Sequence, residues 1–176
     1  MKKLTILILL TLLMTISCSH TKVYVLGVDV DKAVKTKDVG MMILGATTSV
    51  AVHIAGHYIA GELIGADIEQ QGDREIILNE NELNKSDLRW FDRGGFLTQT
   101  LVNTVLTSFE STRKSKFTRG FTIGTALEIG TYPLRRPNDG DLIRLNDNGG
   151  NSTSEWTLYM GFSAYNFYRI NINKEN

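Results

Sequence analysis

The sequence predicts a mainly α protein: a small helical domain with apolar helices in or against a membrane, preceded by a short strand and interrupted by a polar hairpin. Two observations carry that expectation. Residues 39–61 hold no charged side chain and are small or apolar on every side, and a helix with no polar face is buried in protein or in lipid. Further on, Phe96, Leu97, Leu101, Val102, Val105 and Leu106 recur at helical spacing, which predicts a second helix with an apolar stripe.

At the N-terminus, Lys2 and Lys3 precede an apolar run from Leu4 to Ile16 that stops at Ser17-Cys18. Such a run is short for a bilayer span, which takes about 20 residues, and positive charge before a short apolar run is the layout of an export leader. Ser17 before the only cysteine of the chain resembles a bacterial lipoprotein signal, with Thr15 where that pattern usually has Leu, Val or Ile. The resemblance implies a signal peptide over residues 1–17, lipidation (palmitate) at Cys18, and attachment to the bacterial cell envelope through membrane lipid. Two acyl chains suffice for stable anchoring. The plainer alternative is an ordinary secretory signal with an incidental cysteine. One cysteine leaves no disulfide within the chain.

Residues 18–37 form the expected tether with a short strand, because Lys22 to Asp31 mixes β-branched residues in approximate alternation. Residues 38–176 suit one helical domain. Within the first apolar helix small residues recur every four positions, Gly45 with Ser49, Ala51 with Ala55, Gly56 with Ala60 and Gly61 with Gly65, which predicts a closely packed neighbour. Glu69 to Arg89 is strongly polar around Ile76-Ile77-Leu78 and reads as a solvated connection or hairpin. The second apolar helix spans Gly94 to Phe109. A basic group, Arg113, Lys114, Lys116 and Arg119, follows it, either as a solvated loop or as a contact with anionic headgroups. A third apolar segment, 120–134, is broken by Glu128 and closed by Pro133. Arg135 to Ser154 is rich in turn residues, and an aromatic helix is expected from Trp156 to Ile172.

Nineteen basic and nineteen acidic side chains balance, and the mature chain turns slightly acidic once Lys2 and Lys3 are removed. That excludes nucleic acid as the expected partner. A protein partner in the envelope stays open.

The chemistry centres on His53-Ile54-Ala55-Gly56-His57. Positions i and i+4 share a helix face, so both imidazoles can reach one metal ion, and a third ligand must come from elsewhere. Acidic candidates near apolar segments are Asp92, Glu128 and Asp139. The hydrolytic form of this spacing has glutamate after the first histidine, where this chain has Ile54. Glu62 lies about 140° around an ideal helix from His57 and points away from a shared metal. The alternative to metal is a pair of histidines hydrogen-bonding across a helix interface, and Glu128 is expected to pair with Arg93 or a histidine, as buried charges require partners.

AVHIAGHYIAGE resembles the zinc-binding helix of the site-2-protease family of membrane-embedded metalloproteases, and PNDGDL is similar to that family's later Asp-Gly motif. The resemblance implies zinc at His53, His57 and Asp139, within helices in the bilayer. With Ile54 in place of the general base, the expected role is a non-catalytic structural or interaction one for a membrane-anchored lipoprotein. The alternatives are a degenerate zinc-binding relative of these proteases and an active metal-dependent hydrolase, for which Glu128 is the least implausible base.

Overall fold

The computed structural model describes residues 24–25, 28–29, 36–72, 74–135 and 140–172. Cys18, the leader and Asp139 lie outside the described residues. The chain divides into two compact units, Met1–Val39 and Gly40–Asn176. In the first, β1 (Tyr24–Val25) pairs antiparallel with β2 (Val28–Asp29). The rest is mainly α, as the patterning predicted.

Helix α1 runs from Thr36 to Ile64. Its end is set by Gly65 at φ 71°, a left-handed position that lets Ala66 N–H reach Gly61 O (2.9 Å) and Gly65 N–H reach Glu62 O (3.3 Å), the pairing that satisfies the last carbonyls of a helix. The polar hairpin follows as β3 (Ile68–Gln71) against β4 (Arg74–Ile77), with Ile68 opposite Ile77. Asn79 staples its base to the end of α1, accepting from Asp67 N–H (2.8 Å) and donating to Gly65 O (3.0 Å).

Helix α2 covers Lys85–Ser108 and starts nine residues before the apolar pattern does. The reason is a capping box. The Asn84 side chain accepts from the N–H groups of Ser86 and Asp87, and the Asp87 carboxylate accepts from Asn84 N–H, so two orphan donors are met on a charged first turn. Short α3 (Glu110–Arg113) leads to α4 (Lys116–Arg135), then α5 (Asp141–Asp147) and α6 (Ser152–Ile172).

Two sequence expectations are corrected here. Pro133 does not close α4, which continues to Arg135. Proline has no N–H for the carbonyl four residues back, and the Trp156 indole N–H takes its place on Ile129 O at 2.9 Å. The turn-rich stretch also contains α5, a helix of seven residues entered through Gly140 at φ 98°, ψ −177°, a conformation open essentially to glycine alone.

Packing follows the small residues. A Cβ on Gly94 would sit 2.6 Å from both the Gly56 carbonyl oxygen and the Ala60 methyl, so α1 and α2 cross backbone to backbone. Gly45 and Gly120 bring α1 equally close to α4, at Phe117 and Met42. Ala51 and Ala55 of the predicted stripe are instead exposed. The charge-free stretch is helical as expected, but other helices cover only its small and histidine face. Met41, Ile43, Leu44, Val50, Ile54, Ile59 and Leu63 point outward.

The same inversion holds across the bundle. Leu101, Val105, Leu127, Leu158, Phe162 and Tyr165 are exposed, whereas Ser49, Gln99, Asn103, Thr107, Thr122 and Asn166 are fully buried. Those interior groups bond to one another: Thr122 Oγ1 to Asn103 Oδ1 at 2.7 Å and Thr107 Oγ1 to Asn166 Oδ1 at 2.9 Å. Among the described residues, Phe96, Ile129, Tyr132, Leu142 and Tyr159 form a buried apolar cluster, with Leu88, Phe91, Phe121, Leu145 and Ile170 buried besides.

Candidate metal centre

His53 and His57 lie on the covered face of α1, at 7% and 0% exposure. Their Nε2 atoms are 3.2 Å apart. The third group is Asp141, at the first position of α5, whose Oδ2 is 3.2 Å from His53 Nε2 and 3.3 Å from His57 Nε2. These three ligand atoms form a nearly equilateral triangle, and among the described residues they are the group able to hold a metal ion.

Two of the three ligands are oriented by a second hydrogen bond. His57 Nδ1 lies 2.9 Å from Phe91 O. A carbonyl only accepts, so Nδ1 carries the hydrogen and Nε2 of the neutral ring presents its lone pair to the triangle. Asp141 Oδ1 accepts from Arg144 Nη2 at 2.8 Å, which leaves Oδ2 for the centre, and the backbone N–H of Asp141 donates to the Tyr132 hydroxyl at 2.7 Å. The Arg144 guanidinium also donates to Asp92 Oδ1 (3.0 Å) and to the carbonyl of Glu75 on the hairpin (3.2 Å). One arginine thus fastens α5, α2 and β4 around the site. Burial alone would raise the Asp141 carboxyl, but when the imidazoles are protonated the charge of His57 and the hydrogen bonds from both rings hold it well below its ordinary value, and a metal ion would displace those protons.

The space at the focus of the triangle is kept clear by Gly95. A Cβ built there would lie 2.5 Å from His57 Nε2 and 2.6 Å from His53 Nε2. Phe96 packs edge-on against His53 (4.6 Å between centroids) and Phe91 against His57 (5.0 Å), so the rings have little freedom to turn.

Of the residues singled out from sequence, the histidine pair is brought together as expected. Asp139 lies outside the described residues, and Asp141, two positions on, completes the group. Asp92 is buried but is held by Arg144 and by Asn148 Nδ2 at 3.0 Å, not by the histidines. Glu128 does not meet Arg93, which pairs with Glu155 at 2.7 Å; it accepts from Gln99 Nε2 at 2.8 Å. Glu62 and Ile54 are both exposed, Ile54 lying about 100° around the helix from His53 and about 60° from His57. The missed ligand had a signal in Gly140-Asp141-Leu142-Ile143-Arg144-Leu145: a glycine entry, paired leucines, and an acid and base three apart.

No protein family, curated protein or solved structure matches the chain.

Proposed function

We propose that this protein is a membrane-embedded metal-binding protein that holds a zinc-class divalent ion with His53, His57 and Asp141. The observation that carries it is the triangle itself. Tetrahedral zinc with bonds near 2.0–2.1 Å sets its ligand atoms about 3.3 Å apart, and the three edges here are 3.2, 3.2 and 3.3 Å. Three lone-pair-bearing atoms converge in a buried space at the separation a cation requires, with a fourth coordination position left for water or a ligand. Two imidazoles and one carboxylate suit zinc in preference to calcium or magnesium, which favour all-oxygen sets.

Embedding in lipid is supported by the inverted surface. Among the described residues one helix, Asp38–Ile64, is long and apolar enough to cross a membrane. Helices α2, α4 and α6, of 24, 20 and 21 residues, are as long as the bilayer core of about 30 Å requires at 1.5 Å per residue. Their mean hydropathy is lower because they carry charged residues, concentrated in the first turns of α2, and because they turn Thr, Asn, Gln and Ser inward, the latter as helices around a polar axis in lipid do. A bacterial envelope location, with lipid as partner, is supported by the resemblance of residues 1–18 to a lipoprotein signal ending at Cys18.

Binding is favoured over hydrolysis because the helix offers no base at the metal: the position after the first histidine is Ile54, whose side chain cannot accept a proton. The site-2-protease likeness then describes a scaffold that keeps the ion and lacks the proton acceptor.

Zinc content of the detergent-purified chain tests the centre. About one ion per chain is expected, lost in a His53→Ala, His57→Ala variant and in Asp141→Ala; equal content in all three would refute it. Carbonate extraction of Cys18→Ser tests the embedding. The variant is expected in the membrane pellet, and its release would show that acyl chains alone attach the body.

A further inference from the structure

Seven buried side-chain polar atoms among the described residues lack partners, and two of them, His53 Nδ1 and Gln99 Oε1, are a donor and an acceptor near the centre. His53 Nδ1 has none. If Nε2 ligates a metal, Nδ1 of the neutral ring carries the hydrogen and is a donor without an acceptor. Gln99 Oε1 is an acceptor without a donor. The orientation of that amide is fixed, because its Nε2 stands between two atoms that only accept, Ser49 O at 3.1 Å and Glu128 Oε2 at 2.8 Å, so the nitrogen faces them and Oε1 faces elsewhere.

The helices bring the two orphans within about one turn of each other. Ser49, whose carbonyl holds Gln99, lies one turn before His53 on α1, and both are buried. Gln99 lies one turn after Gly95 on α2, and Gly95 abuts the His53 ring. Buried polar atoms left unsatisfied cost about 1–3 kcal/mol each, and a buried water joins such groups where two to four polar partners converge.

We infer that Gln99 is a positioning residue of the metal centre: its Oε1 takes the His53 Nδ1 proton bond through one buried water, and Glu128 locks the amide in that orientation. This rests on the proposed metal reading. It gives His53 the outer partner that His57 has in the Phe91 carbonyl, and it gives Glu128 a place in the site that is neither base nor ligand. Outer partners of ligating histidines tune metal affinity by about 10–100-fold.

The test is cobalt(II) titration of the full-length protein in detergent, with affinity from competition against a chromophoric chelator and the visible absorption of bound cobalt as a second readout. Gln99→Met keeps length but removes the acceptor, and Glu128→Leu frees the amide to rotate; each is expected to weaken cobalt about 10–100-fold and to alter the spectrum. Asn103→Leu, one turn further from the centre and as deeply buried, is expected to leave affinity and spectrum unchanged. Unchanged cobalt affinity in either folded Gln99→Met or Glu128→Leu overturns the relay while leaving the centre intact, as does an equal loss in Asn103→Leu. A native chain that binds no cobalt overturns both.

Discussion

Replacing Gly95 by alanine is the most economical perturbation of the proposed centre, because it adds one carbon where the ion is to sit. The added Cβ would lie 2.5 Å from His57 Nε2 and 2.6 Å from both Cε1 and Nε2 of His53. Ordinary van der Waals contact begins at about 3.5 Å, so the rings must retreat by about 1 Å. Metal–ligand distances tolerate only about ±0.2 Å. The displacement is several times that allowance, and at least one imidazole leaves the coordination sphere. Zinc affinity, measured by chelator competition on the detergent-purified protein, is expected to fall by at least about 100-fold, beyond the range of outer-partner changes. Overpacking costs about 1–3 kcal/mol of stability besides. Gly161→Ala is the control. Nothing lies within 4 Å of a Cβ there, so affinity stays unchanged and the helix gains up to about 1 kcal/mol. Native zinc affinity in Gly95→Ala would refute the placement of the ion between the rings.

Arg144→Met removes the group that joins Asp141, Asp92 and the Glu75 carbonyl and leaves the buried Asp92 carboxylate without a counter-charge. A loss of about 3 kcal/mol is expected in denaturant unfolding, with Arg144→Lys recovering only part because a point charge cannot span all three acceptors; a loss below about 0.5 kcal/mol would contradict the network. Trp156→Phe is expected to cost about 1–2 kcal/mol by orphaning Ile129 O. In a Pro133→Ala background the backbone N–H returns and the same change should cost less than about half as much, so equal costs in a double-mutant cycle would disprove the substitution of indole for backbone donor. Asn84→Ala, which abolishes the capping box, is expected to cost about 1 kcal/mol and to fray the first turn of α2 in amide exchange.

The helical class and the first histidine pair were legible in the sequence because both depend on local spacing. An uncharged run of 23 residues, Val39 to Gly61, is too long for a buried strand and so favours a helix, and i, i+4 imidazoles share a face wherever that helix goes. Local chemistry also held the start of α2, though in Asn84 and Asp87 and not in the apolar pattern that was followed. What was not legible needed partners distant in the chain. Pro133 reads as a stop until Trp156 arrives from α6 to occupy the carbonyl it frees. Glu128 reads as a base or a salt-bridge partner until α2 presents Gln99 to it.

By itself the sequence determined that the protein is mainly α, that it has a polar hairpin between apolar helices, and that two imidazoles lie on one helix face. Only the tertiary structure decided which carboxylate joins them, 84 positions after His57, and which side of each helix turns outward. Ligand geometry is a relation among three atoms on two helices set by where backbones cross at glycine, and spacing along one chain does not encode the crossing.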